Sequence, residues 1–205
     1  MNYFEFRTKL FNVACFNIDQ VYAWQPGFDR NNLSRWANTG RLIRLRQGYF
    51  TFPEYKGIPD YALFFGNRIY RPSYISLHTA LSFYGMIPES VVDITSVTTL
   101  KTKVFTNSIG EYAYRSVKSD LMFGYVLKPL SGGMALQLAS PEKALLDLLY
   151  LYPEYKSDQD MADLRLDEDF LVNDLNKELL QEYSLRFKSK ALDHRVNLLL
   201  KTYEI

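Results

Sequence analysis

Cysteine is all but missing from this chain: Cys15 is the single one among 205 residues. That excludes an internal disulfide framework and fits a reducing cytoplasm. Cys15 sits among Phe11, Val13 and Phe16, which predicts a buried, unreactive thiol. Histidine is nearly as scarce, with only His78 and His194. A zinc centre needs more ligands than two distant histidines and one remote cysteine supply. No apolar run approaches membrane-spanning length, and no apolar segment follows a basic start as in a secretion leader. Internal repeats and low-complexity tracts are also missing. A membrane, a metal and a cofactor are therefore not expected.

What is present is aromatic and apolar. Hydrophobic residues make up 47% of the chain, with 16 Tyr and 14 Phe, enough for packed cores and too much for a disordered protein. The length suits one large domain or two small ones. The net charge of +1 conceals an uneven distribution. Residues 1–56 carry eight Lys/Arg against four Asp/Glu, whereas residues 157–182 carry two against nine. The basic end points to a polyanion partner; the acidic stretch reads as a solvated helix face.

The densest information lies between Asn17 and Phe52. Asn17 with Gln20 has the spacing of a capping box, opening a helix whose Ile18, Val21 and Tyr22 share a face. Pro26-Gly27 breaks the chain, and Phe28 or Asp29 opens a second helix. There Leu33, Trp36 and Ala37 form a buried stripe, while Arg30, Asn31, Ser34, Arg35 and Asn38 fall largely on the other side. Gly40 sits where a left-handed residue ends a helix. Next, Leu42, Ile43 and Leu45 alternate with Arg41, Arg44 and Arg46; Gln47-Gly48 turns, and Tyr49–Phe52 returns as a strand. Helix, helix, then a cationic hairpin is the order of a winged helix-turn-helix. Five arginines follow Asp29 with no acid among them. Asn31, Asn32, Ser34 and Arg35 suit contacts to base edges, and Arg30, Arg41, Arg44 and Arg46 suit phosphates. A docking module for an acidic protein, or an ordinary solvated surface, would use the same residue types.

Tyr3 to about Val13 reads as a preceding helix, with Phe4, Phe6, Leu10 and Phe11 as its apolar contacts. Pro53 to Pro59, with Gly57 between, is the expected boundary, giving units of residues 1–55 and 60–205. Beyond it, helices are expected from Asp60 to about Asn67 and from Leu77 to Tyr84, the latter capped by Ser76. From Val91 to Ala139 the texture is β. Val92, Ile94, Ser96 and Thr98 alternate; Val104–Thr106 and Glu111–Val117 form a hairpin; Phe123–Leu127 and Met134–Leu138 flank Ser131-Gly132-Gly133. Ser140-Pro141-Glu142 starts a helix, and the remainder is mostly helical. The expected class is α+β: an N-terminal winged helix-turn-helix, then an α+β unit of short antiparallel strands with a helical C-terminus.

Leads to catalysis are weak. Gly132-Gly133 could belong to a nucleotidyltransferase, but Glu142 and Asp147 follow at the wrong spacing for its metal-binding carboxylates. Asp158, Asp160 and Asp163 lack the glycine and terminal glutamate of a calcium loop. An enzyme acting on a nucleotide is the outlying alternative, and no catalytic residue is expected.

Residues 32–50 (NLSRWANTGRLIRLRQGYF) resemble the winged-helix segment of AbiEi-type antitoxins, regulators in type IV toxin–antitoxin and abortive-infection systems. Residues 71–85 (RPSYISLHTALSFYG) and 139–147 (ASPEKALLD) agree in the same order, so the resemblance spans about residues 17 to 150. It implies a winged helix that binds operator repeats in double-stranded DNA and represses its own operon. It also implies a C-terminal domain with antitoxin activity, opposing a nucleotidyltransferase-like toxin without a stable complex.

Overall fold

A computed structural model describes residues 1–58, 60–88 and 92–205. Pro59 and Val91, expected at a boundary and at the start of the β region, lie outside the described residues.

The chain is mixed α+β. Its first part runs α1 (Tyr3–Leu10), β1 (Cys15–Asn17), α2 (Ile18–Trp24), α3 (Asn31–Asn38), β2 (Ile43–Arg46) and β3 (Tyr49–Thr51). The three strands form an antiparallel sheet in the order β1-β3-β2. Capping boxes start α1 (Asn2 with Glu5) and α2 (Asn17 with Gln20), each satisfying amides that the first turn leaves bare. Phe6, Phe16, Phe28, Trp36 and Phe52 meet as one aromatic core. Two expectations are corrected. Phe4 is 78% exposed, because the core face of α1 is set by Phe6 and Leu10. The helix also stops earlier than Val13: a 3-10 turn over Phe11–Val13 and Ala14 at φ +58° lead into β1, a strand too short to show a period.

Pro53–Gly57, expected to resist regular structure, forms a 3-10 turn that buries Tyr55. The Tyr55 hydroxyl donates to Phe11 O at 2.7 Å, and its ring packs on Tyr61 with centroids 4.7 Å apart.

The second part contains α4 (Tyr61–Ile69), β4 (Ser73–Ile75), α5 (Leu77–Phe83), β5 (Ile94–Thr98), β6 (Lys103–Thr106), β7 (Glu111–Ser116), β8 (Tyr125–Pro129) and β9 (Ala135–Ala139). Five helices follow: α6 (Pro141–Leu151), α7 (Asp158–Ala162), α8 (Glu168–Asn173), α9 (Lys177–Phe187) and α10 (Lys190–Thr202). The six strands form one sheet in the order β6-β7-β5-β4-β9-β8. It is mixed rather than antiparallel: β4 runs parallel to β9 and β5 parallel to β7, while the three remaining pairs are antiparallel. Hairpins leave a local trace in sequence; parallel pairs joined by long crossovers do not. Strand periodicity sorts the faces. Ile75, Ile94, Ser96, Tyr112 and Tyr114 turn towards α4, where the Tyr114 hydroxyl donates to Gly66 O at 2.7 Å. Tyr74 turns the other way, to α6.

Helix α6 begins as its sequence predicts, with the Ser140 hydroxyl accepting from Lys143 N. It is buried on nearly every side, including Glu142, Lys143 and Asp147. Glu142 accepts from Asn176 N at 3.1 Å and so ties α6 to the start of α9. Lys143 and Asp147, one turn apart, form a fully buried ion pair. The Asp147 carboxylate also accepts from the hydroxyls of Tyr74 and Ser76, both at 2.8 Å. Ser76 precedes α5 but does not cap it, because its hydroxyl is drawn to this carboxylate. Burial pushes the Lys143 pKa down and the Asp147 pKa up, each against the pull of the other's charge.

Gly124 closes this region. Its φ of +68° suits glycine, and a Cβ there would lie 2.8 Å from the Tyr183 ring and 3.1 Å from Lys143 Cβ. Gly124→Ala is expected to lower unfolding stability by roughly 1–3 kcal/mol. A urea titration giving the wild-type midpoint would refute the close approach.

Candidate nucleic-acid interface

The expected site residues divide into an outward set and one that turns inward. Helix α3 starts at Asn31, after Asp29, whose carboxylate accepts from Asn31 N at 3.0 Å. Leu33 and Trp36 are buried, so Asn31, Ser34, Arg35 and Asn38 project from the opposite face into solvent. Arg30 is exposed just before the helix. Gly40, at φ +73°, ends α3 as its position predicts.

The polar face is internally braced. The Arg35 guanidinium donates to Asn32 Oδ1 at 2.6 Å, so the half-buried Asn32 orients Arg35. The Arg44 guanidinium, on β2, donates to Ser34 Oγ at 3.2 Å and lies 5.7 Å from the Phe50 ring. That contact joins the hairpin to the outer face of α3. Arg41 is exposed over the Tyr3 ring at 5.2 Å, and the Tyr3 hydroxyl donates to Arg41 O. Among the described residues, none of Arg30, Arg35, Arg41 and Arg44 makes an ion pair. The result is a cationic surface across a helix and a two-stranded hairpin.

Arg46 differs. It donates to Ile69 O and lies 5.5, 5.3 and 4.9 Å from the rings of Tyr49, Tyr70 and Phe105. Asn107 adds a side-chain bond to Leu45 O at 2.9 Å. These contacts fasten the turn end of the hairpin to the end of α4 and to β6, so the Arg46 side chain is engaged within the fold, unlike those of Arg30, Arg41 and Arg44. The sequence holds no local sign of this, since Tyr70 and Phe105 are far along the chain.

At the start of β1, Cys15 is buried and its thiol pKa is pushed up to about 12 by burial. The neutral thiol is the folded form; stability from it is full below the unfolded value of about 8.5 and falls as pH rises towards the folded one. Cys15 is therefore expected not to react with a soluble disulfide reagent at pH 8 until the chain unfolds. Stoichiometric reaction within the mixing time would contradict its burial.

Chemistry elsewhere is sparse. Among the described residues no group of three His, Cys, Asp or Glu side chains could hold a metal ion. Ser157 caps α7, its hydroxyl accepting from Asp160 N while the Asp160 carboxylate accepts from Ser157 N, and Asp158 pairs with Lys201. Among the described residues no helix is long and apolar enough to cross a membrane. No protein-family model matches the chain, and comparison with curated proteins finds no similar sequence.

Proposed function

We propose that this chain is a DNA-binding transcriptional regulator whose first part works as a winged helix-turn-helix. The supporting observation is the braced cationic surface: Arg35 held by Asn32, and Arg44 joined to Ser34, with no carboxylate paired to either arginine among the described residues. In this reading α3 enters the major groove, with Asn31, Ser34 and Arg35 at base edges. Arg30, Arg41 and Arg44 neutralise phosphates, and the β2–β3 hairpin lies along the backbone. Arg46 holds the hairpin at its angle. The resemblance to AbiEi-type antitoxins extends the proposal to repression of its own operon and to countering a nucleotidyltransferase-like toxin.

Competition between the chain's own upstream duplex and a scrambled duplex tests the reading. Preference for the upstream sequence is expected. Equal affinity for both would remove the regulator role, and binding only to an acidic protein would turn the surface into a docking face.

A further inference from the structure

Two cavities meet at a pair of arginines that the DNA-facing surface leaves unused. One, of about 360 Å³, is lined by Asn67, Arg68, Arg71, Gly133 and Gln137 among others. The other, of about 300 Å³, includes Asn17, Gln20 and Tyr49 from the first part, with the same Arg68 and Arg71. Neither lining contains an acid. Among the described residues neither arginine makes an ion pair. Arg68 is half-buried over the Phe64 ring at 4.7 Å, while Arg71 is exposed. Burial, and then the charge of Arg71, hold the Arg68 pKa below its ordinary value.

Beside them, Asn67 is 4% exposed. Its Oδ1 accepts from Gln137 N at 2.7 Å, which fixes which way the amide faces. Its Nδ2 is then a buried donor with no acceptor. A buried donor without a partner is destabilising, and so are two cations sharing a cleft with no counter-charge. One acceptor-rich anion would relieve both.

We propose that this cleft binds a phosphate group, with Arg68 and Arg71 as the charged donors and Asn67 as the amide donor in its wall. Guanidinium forks match the oxygens of a tetrahedral oxyanion and bind them by charge-assisted hydrogen bonds. The phosphate comes from a duplex backbone or from a free phosphate compound; the recognising chemistry is shared. The site stands whether or not the operator reading does.

The test uses the full chain, ¹⁵N-labelled, titrated at fixed ionic strength with inorganic phosphate and separately with duplex DNA. The signals followed are the arginine side-chain N–H groups and the Asn67 amide. Saturable shifts with phosphate but not chloride are expected, with affinity weakened roughly tenfold in Arg71→Gln, an exposed position that leaves the fold intact. If phosphate is silent but duplex shifts the same signals, and Arg71→Gln reduces the salt slope of DNA binding by about one, the source is the backbone. Phosphate binding without any duplex binding keeps this site and removes the DNA reading. Shifts with neither ligand, or shifts unchanged in Arg71→Gln, overturn the proposal.

Discussion

Asp147→Ala is expected to destabilise the chain by about 3–5 kcal/mol. The reason is what the change leaves behind. Lys143 is fully buried, and Asp147 is its only ionic partner among the described residues. The hydroxyls of Tyr74 and Ser76 lose their acceptor in the same stroke. An uncompensated buried cation costs more than the pair gained, so Lys143 must deprotonate or the helix must move. Replacing both members by apolar residues of matching size, Lys143→Met with Asp147→Leu, is expected to recover much of the loss. Chemical denaturation of the single and double variants checks this. A single-variant loss under about 1 kcal/mol would show that water or another group reaches Lys143. A double variant as unstable as the sum of its parts would show that the residues do not act as a pair.

The second large effect concerns recognition. Arg35→Ala is expected to cost roughly 1–3 kcal/mol on the preferred duplex and to flatten preference at one base position. Asn32→Ala should lose part of the same preference, because Asn32 holds the Arg35 guanidinium in place. Arg44→Ala should instead weaken all duplexes alike and make binding less sensitive to salt. Measured on upstream and scrambled duplexes, equal losses in Arg35→Ala and Arg44→Ala would dissolve the division between base and phosphate contacts.

Much of the local structure around α3 was legible because its signals are local. The Asn17–Gln20 cap, the Leu33/Trp36 stripe and Gly40 each follow from spacing within one turn of helix, and each falls where expected. Distant partners were not legible. Arg46 looks like Arg44 in sequence, and the contacts with Ile69, Tyr70 and Phe105 that set it apart come from far along the chain. β1 and β4 have three residues each, too few to show alternation, and the parallel pairings depend on crossovers. Ser76 has the position of a cap, yet a buried carboxylate some seventy residues away takes its hydroxyl. The Arg68/Arg71 cleft did leave a trace: residues 61–88 hold these two arginines and no acid. That trace carries weight only once the fold brings Asn67 and the first part of the chain beside it.

The exposed arginines of α3 and the hairpin are proposed to meet a nucleic-acid backbone. Fluorescence anisotropy with the upstream duplex across a salt series tests it most directly. Contacts from Arg30, Arg41 and Arg44 predict that log affinity falls linearly with log salt, with a slope of about −3. Undetectable binding at low salt, or affinity indifferent to salt, would contradict the account.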